Sequence, residues 1–307
     1  MITRFFSTSR PAHLIIISAF VFVLFFVVRA ESVFEEFQLL KLIRALLTVL
    51  ILIFSISLLA FFVTKNNLTK RNSYKIMFFA LFFAVLPQTL LNDNIIVANL
   101  FVLLALRRII SLRTNKNLIK KLFDAGFWIA IASLFYFWAF LFFGLILSAL
   151  FLFTIANTRN LILPFLGLLT VVVLVVCYSI IVNDTFGNVI VFVDGISYDF
   201  SAYNHLKFII PITVLTSLGI WSSFFYLKTF KDKPKNYRAA HFLVLLCTLI
   251  AVMIVVVSPL KTGSEFMFLF APLAIIMSNY IQIAQEKWFA EVFVWMLIIT
   301  PITLLFL

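Results

Sequence analysis

Residues 76–106 read IMFFALFFAVLPQTLLNDNIIVANLFVLLAL, and the number of times this stretch crosses a membrane decides the fold. A helix needs roughly 20 residues to span about 30 Å of hydrocarbon, and about 17 are tolerated. The stretch is too long for one untilted span and too short for two comfortable ones. Lysine and arginine clusters flank it at residues 65–75 and 107–121. Basic loops stay on the cytoplasmic side, so an even number of crossings separates the two clusters and the stretch is a hairpin. Its apex is Asn92-Asp93-Asn94, a polar tripeptide where a turn is tolerated. The second arm, residues 95–106, is the short one, either re-entrant or lengthened by snorkelling of Arg107 and Arg108.

The same parity governs residues 127–153. A single crossing there would put the aspartate-bearing loop at 183–205 inside and the basic loop at 228–238 outside, reversing the charge rule. A hairpin turning near residues 140–144 returns that loop, and the basic pair Arg4 and Arg10, to the inside. Lys41 and Arg44 remain outside as a minor exception. Unambiguous apolar spans cover 14–28, 45–63, 161–182, 208–227, 239–260, 266–284 and 292–307. The expected fold is all-α, a polytopic transmembrane helical bundle of about eleven crossings that includes the two short hairpins. Residues 1–307 form a single integral membrane domain with no linker or repeat. Its expected location is the bacterial inner (cytoplasmic) membrane, N-terminus cytoplasmic and C-terminus periplasmic.

Composition agrees with that class. Hydrophobic residues make up 64% and charged residues 12%, against roughly 45–50% and 25% for a soluble domain. The formal charge of +12 sits in short loops rather than in a binding stripe, so it points to the anionic membrane face and not to nucleic acid. The 40 phenylalanines read as lipid-facing filler, and Cys177 and Cys247 as small hydrophobes inside apolar runs. Arg4, Arg10, residues 14–28 and Val28-Arg29-Ala30 resemble a signal sequence, but the later spans favour an uncleaved first crossing. Residues 115–124 form a basic amphipathic stretch expected to lie along the inner face.

No ionisable side chain falls at membrane depth, which weighs against a proton or sodium pump. Carboxylates collect on the expected outer side instead. Glu35 and Glu36 in the first outer loop, Asp93 at the hairpin apex and Glu265 are the candidate general bases. Lys261-Thr262-Gly263-Ser264-Glu265 combines a cation, a permissive glycine and a carboxylate at a helix start, where anions are favoured. Lys261, His205 and Arg29 are the candidate phosphate-binding residues. The charge rule alone also accounts for an acidic outer side. His13, His205 and His241 are scattered, no spacing fits a metal site, and no motif implies a cofactor.

Four short motifs carry a resemblance: Arg4-Phe5-Phe6, Leu91-Asn92-Asp93-Asn94, Phe135-Tyr136-Phe137 with Arg159, and Lys261-Thr262-Gly263-Ser264-Glu265 followed by Pro272. They resemble a poorly characterised family of inner-membrane proteins of the Bacteroidota type, which implies a membrane location and no settled activity. The acidic stretch at residues 31–36 and the two short hairpins are similar to C-type polytopic glycosyltransferases. That second likeness implies a polyprenyl-phosphate sugar donor and an outer carboxylate as base, although no second soluble domain is present to bind an acceptor. Two functions follow as expectations. One is a structural or lipid-handling component of the cell envelope, with membrane lipids and other envelope membrane proteins as partners. The other is a glycosyltransferase-like enzyme using a polyprenyl-phosphate lipid at the outer leaflet.

Overall fold

The computed structural model describes residues 1–30, 39–183, 195–230, 234–304 and 306. Among them the regular structure is entirely helical. The helices are α1 (Ile2–Phe6), α2 (Pro11–Val28), α3 (Leu39–Lys65), α4 (Tyr74–Val85), α5 (Asp93–Ser111), α6 (Leu118–Phe135), α7 (Phe143–Leu152), α8 (Thr158–Asn183), α9 (Leu206–Lys228), α10 (Lys235–Val257), α11 (Met267–Ile283) and α12 (Lys287–Leu304). Seven are long and apolar enough to cross a membrane, and shorter apolar helices occupy Tyr74–Val85, Phe137–Leu152 and Trp288–Leu304. The chain is therefore a membrane protein. It divides into two compact units, one comprising Met1–Ile96, Asp199–Lys233 and Lys261–Leu307, the other Val97–Tyr198 and Pro234–Leu260. The boundary at residues 96 and 97 falls inside α5, which is why no composition shift marks it.

Both ambiguous stretches are broken, though not where the polar residues alone suggest. Helix α4 stops at Val85 because Pro87 forces Leu86 out of the helical region, to φ −127° and ψ 78°. A 3-10 helix, Pro87–Leu90, follows, and Asn92 then caps α5, its side-chain oxygen accepting the Ile95 N–H at 3.2 Å. The short arm is the first one, at 12 residues against 19 for α5, a correction to the expected order. Arg107 and Arg108 continue α5 instead of ending it. The first arm recovers its length through the 3-10 turn, whose rise of about 2.0 Å per residue exceeds the 1.5 Å of an α-helix.

The second stretch breaks at Tyr136, which is extended at φ −150° and ψ 106°, and a 3-10 helix occupies Phe137–Phe142. The Tyr136 hydroxyl donates to Ser258 Oγ at 2.9 Å, a tertiary partner invisible to a local reading that put the turn at residues 140–144. The basic stretch at 115–124 is exposed over much of its length. Its helical part is the beginning of α6 and runs unbroken into the apolar half of that helix. Asp124 pairs with Arg108 at 2.8 Å. In this unit α6 and α8 meet backbone to backbone: a Cβ on Gly126 would collide with the Pro164 carbonyl, and one on Gly167 with that of Phe123. Small residues permit such approach where no hydrophobic force drives helices together.

In the first unit, six helices connect the same two ends. His13 Nδ1 lies 2.9 Å from Ser73 Oγ, and Arg29 Nε donates to Leu90 O at 2.8 Å, so α2 and the α4/3-10 arm run side by side in one direction. Arg44 of α3 meets Asp93, while Asn279 of α11 donates to Leu68 O at 3.0 Å beyond the far end of α3. Helix α12 starts where Glu291 binds Thr3 and Met1. With 18 residues, α2 puts the two ends about 27 Å apart. One end gathers Arg4, Lys70 and Arg71, and the other gathers Asp93, Lys261 and Glu265. Beyond Lys75 in its first turn, helix α4 is apolar all round, and it is buried nearly all round. Its Phe78, Phe82 and Phe83 pack on Phe293 and Phe270 at centroid distances of 5.4–6.2 Å. These phenylalanines form a core, not lipid-facing filler.

Candidate functional site

The candidate site is built at the Asp93 end of the first unit from two distant pieces of chain. Asp93 opens α5 and Arg29 closes α2, so each charge opposes the dipole of its own helix end. An Arg29 terminal nitrogen reaches Asp93 Oδ1 at 2.5 Å, and Arg44 Nε reaches Oδ2 at 2.8 Å. The Arg29 and Asp93 side chains are only 11% and 16% exposed, whereas Arg44 is 71% exposed. The carboxylate is thus bracketed by one sheltered and one open guanidinium. Arg29 also lies over the Phe25 ring at 4.7 Å, which fixes its direction.

The second piece is the turn 261–265. Gly263 has φ +84°, a left-handed conformation that glycine adopts freely, and a Cβ there would strike the Phe208 ring. The turn brings Thr262 and Ser264 hydroxyls within 2.5 Å of each other and points Thr262 Oγ1 at Glu265 Oε2, 3.2 Å away. Glu265 is fully buried and also accepts from the Tyr203 hydroxyl. Lys261 is buried too, its Nζ 4.7 Å from the centre of the Phe200 ring. Burial pushes its pKa down, and the nearby Glu265 carboxylate opposes that shift.

Both pieces line one cavity of about 460 Å³, whose walls include Arg44, Gln88, Asn92, Asp93, Thr262 and Ser264. The Leu91-Asn92-Asp93-Asn94 and Lys261-Thr262-Gly263-Ser264-Glu265 motifs, far apart in sequence, therefore face each other. Gln88 is shared with a second cavity, an apolar groove of about 670 Å³ between α2, α4 and α12, with Lys207 at its rim. Phe20, Val27 and Ile302 in the groove wall are exposed.

Of the residues singled out from sequence, Asp93 and Arg29 form an ion pair, and Lys261 and Glu265 share one turn. His205 caps the start of α9 through its backbone and is exposed. Glu35 and Glu36 lie outside the described residues. Sequence reasoning missed Arg44, Gln88 and Tyr203. Arg44 carried a usable signal: a cation on the side that the charge rule disfavours needs a carboxylate partner. Among the described residues no three His, Cys, Asp or Glu side chains cluster as metal ligands do.

The match to known families covers nearly the whole length. The chain belongs to DUF6427, a family of unknown function, matched over residues 2–307. No curated protein and no solved structure matches it.

Proposed function

We propose that this DUF6427 protein is a lipid-handling component of the bacterial inner membrane, holding an anionic lipid at its Asp93 end, which faces outward. The carrying observation is the shared Gln88 wall: a chain-sized apolar groove opens beside a polar cavity at the same end of the unit. Pockets of a few hundred Å³ with few polar groups are the usual form of small-molecule sites. The groove accommodates hydrocarbon, and Lys207 at its rim meets the lipid phosphate. Gln88 Oε1 is buried with no hydrogen-bond partner among the described residues, so a headgroup hydroxyl or amine satisfies it.

About eleven crossings, N-terminus inside, remain the preferred topology. Supporting it, the chain leaves the Asp93 end in α5 and is back there at Tyr203, which requires an even number of crossings between. Four helices, α5 to α8, fill that interval. Transfer of a polyprenyl-phosphate-linked sugar would draw on the same groove. Against it, both Asp93 oxygens face guanidinium groups and Glu265 is sealed from solvent, so neither carboxylate is poised as a base.

Purification in mild detergent followed by lipid mass spectrometry tests the reading. A phosphate-bearing lipid is expected to remain with the wild type and to be lost from Ala84→Trp, which fills the groove. Equal lipid retention by both proteins, or a stoichiometric protein partner with no retained lipid, would refute it.

A further inference from the structure

The opposite end of the first unit carries a cavity of a different kind. It measures about 800 Å³ and is lined by Arg4 and Ser7 from the N-terminal segment, by Lys70, Arg71 and Asn72 from the α3–α4 connection, and by Gln282 from the end of α11. The charge rule explains why basic residues occupy this end. It does not explain why cations from two separate segments converge on one cleft with no carboxylate in its wall.

Arg4, Lys70 and Arg71 are exposed, and their side chains make no ion pair or hydrogen bond among the described residues. Lys75, in the first turn of α4, is buried and already committed, its Nζ donating to Asn72 O at 2.8 Å. Glu291, which binds Thr3 of the cleft wall, is already committed. It accepts from the Thr3 N–H at 3.1 Å, the Thr3 hydroxyl at 2.7 Å, the Ile2 N–H at 3.2 Å and the Met1 amino group.

Gln282 shows what is missing. Its Oε1 accepts the Lys70 N–H at 2.9 Å, which fixes the amide so that Nε2 carries its two hydrogens away from that bond. Nε2 is buried and has no partner among the described residues. A sheltered amide donor beside three uncompensated cations calls for an acceptor-rich anion.

We propose that this cleft is a phosphate-binding site, separate from the lipid groove, which takes a phosphomonoester or pyrophosphate group. The group comes either from a soluble compound or from an anionic lipid headgroup in the adjacent leaflet.

Binding of inorganic pyrophosphate to the detergent-solubilised full chain, by calorimetry, reports the soluble source. Calorimetry of the same detergent-solubilised chain with a short-chain phosphatidic acid, against a short-chain phosphatidylcholine, reports the lipid source. Arg71→Ala and Gln282→Glu are each expected to weaken whichever ligand binds by about tenfold or more. Arg10→Ala, which removes an exposed cation outside the cleft wall, is expected to change it less than about twofold. Thermal unfolding verifies that each variant is folded, and Arg71→Lys, which keeps the charge, should recover part of the affinity. Binding of neither ligand, or equal losses from Arg10→Ala and Arg71→Ala, would overturn the site.

Discussion

The two ends of the first unit treat their positive charges in opposite ways. At one end Arg29 and Arg44 close on Asp93, and Lys261 is folded beneath an aromatic ring beside Glu265. At the other, Arg4, Lys70 and Arg71 surround a cleft without any such partner among the described residues. The proposed topology accounts for both arrangements. Cations are expected at the cytoplasmic face and need no compensation there, whereas a cation on the disfavoured side persists only with a carboxylate to hold it. The ion pairs at the first end are accordingly architectural and leave Gln88 and Lys207 for the proposed lipid, whereas the unpaired cations at the other end carry the proposed phosphate site.

Breaking the sheltered pair has the largest expected effect. Asp93→Asn takes the Asp93 charge from the sheltered Arg29 and should cost roughly 2–3 kcal/mol, below the full buried-pair figure because water still reaches the pair. Thermal unfolding in detergent measures it. Adding Arg29→Met should restore most of the loss, because removing both charges also removes the stranded one. If Asp93→Asn alone is neutral, the bracketed carboxylate is not what secures this end.

Arg44→Ala sharpens the contrast within the same site. Arg44 is 71% exposed, so its removal should cost less than about 1 kcal/mol and lose most of that in high salt. A cost equal to that of Asp93→Asn would show that the open arginine carries the site. The smallest effect is expected from Lys261. Burial holds its folded-state pKa below the ordinary 10.5, so between those two values the unfolded chain binds a proton that the native chain does not. Stability therefore rises with pH across that window. Lys261→Met should remove this rise, read as the difference between the two proteins' unfolding temperatures across an alkaline pH series.

Much of this plan was readable from hydropathy and charge, and the reasons for the misses are specific. The clear spans lie within a few residues of the observed helices because a run of apolar side chains has one way to hide its backbone polar groups. Both ambiguous stretches are broken. Reading polarity as the only turn signal hid the role of Pro87, whose steric effect on Leu86 ends α4 before the polar apex is reached. At Tyr136 the break depends on Ser258, a partner far along the chain. At the start of α6 Ile119 and Lys120 are exposed and Arg108 pairs with Asp124, and the helix continues from there into its apolar half, a continuation that the charges alone do not announce. The acidic and basic site residues were legible as residues, and Asp93 and Lys261-Thr262-Gly263-Ser264-Glu265 were singled out separately. Their meeting in one cavity was not.

The chain's own order of apolar runs, prolines and basic clusters determined where helices form, which ends are cationic and which carboxylates stand apart, because each of these depends on neighbours within a few turns of helix. Packing decided the rest. Arg29, Arg44 and Asp93 come from three helices, the Thr262 turn from a fourth connection, and the groove from three helix faces. Such convergence depends on helix crossing and rotation, set by contacts such as Phe83 on Phe270 and Gly263 against Phe208. Hydropathy records how deeply a helix is buried but not which neighbour it turns toward.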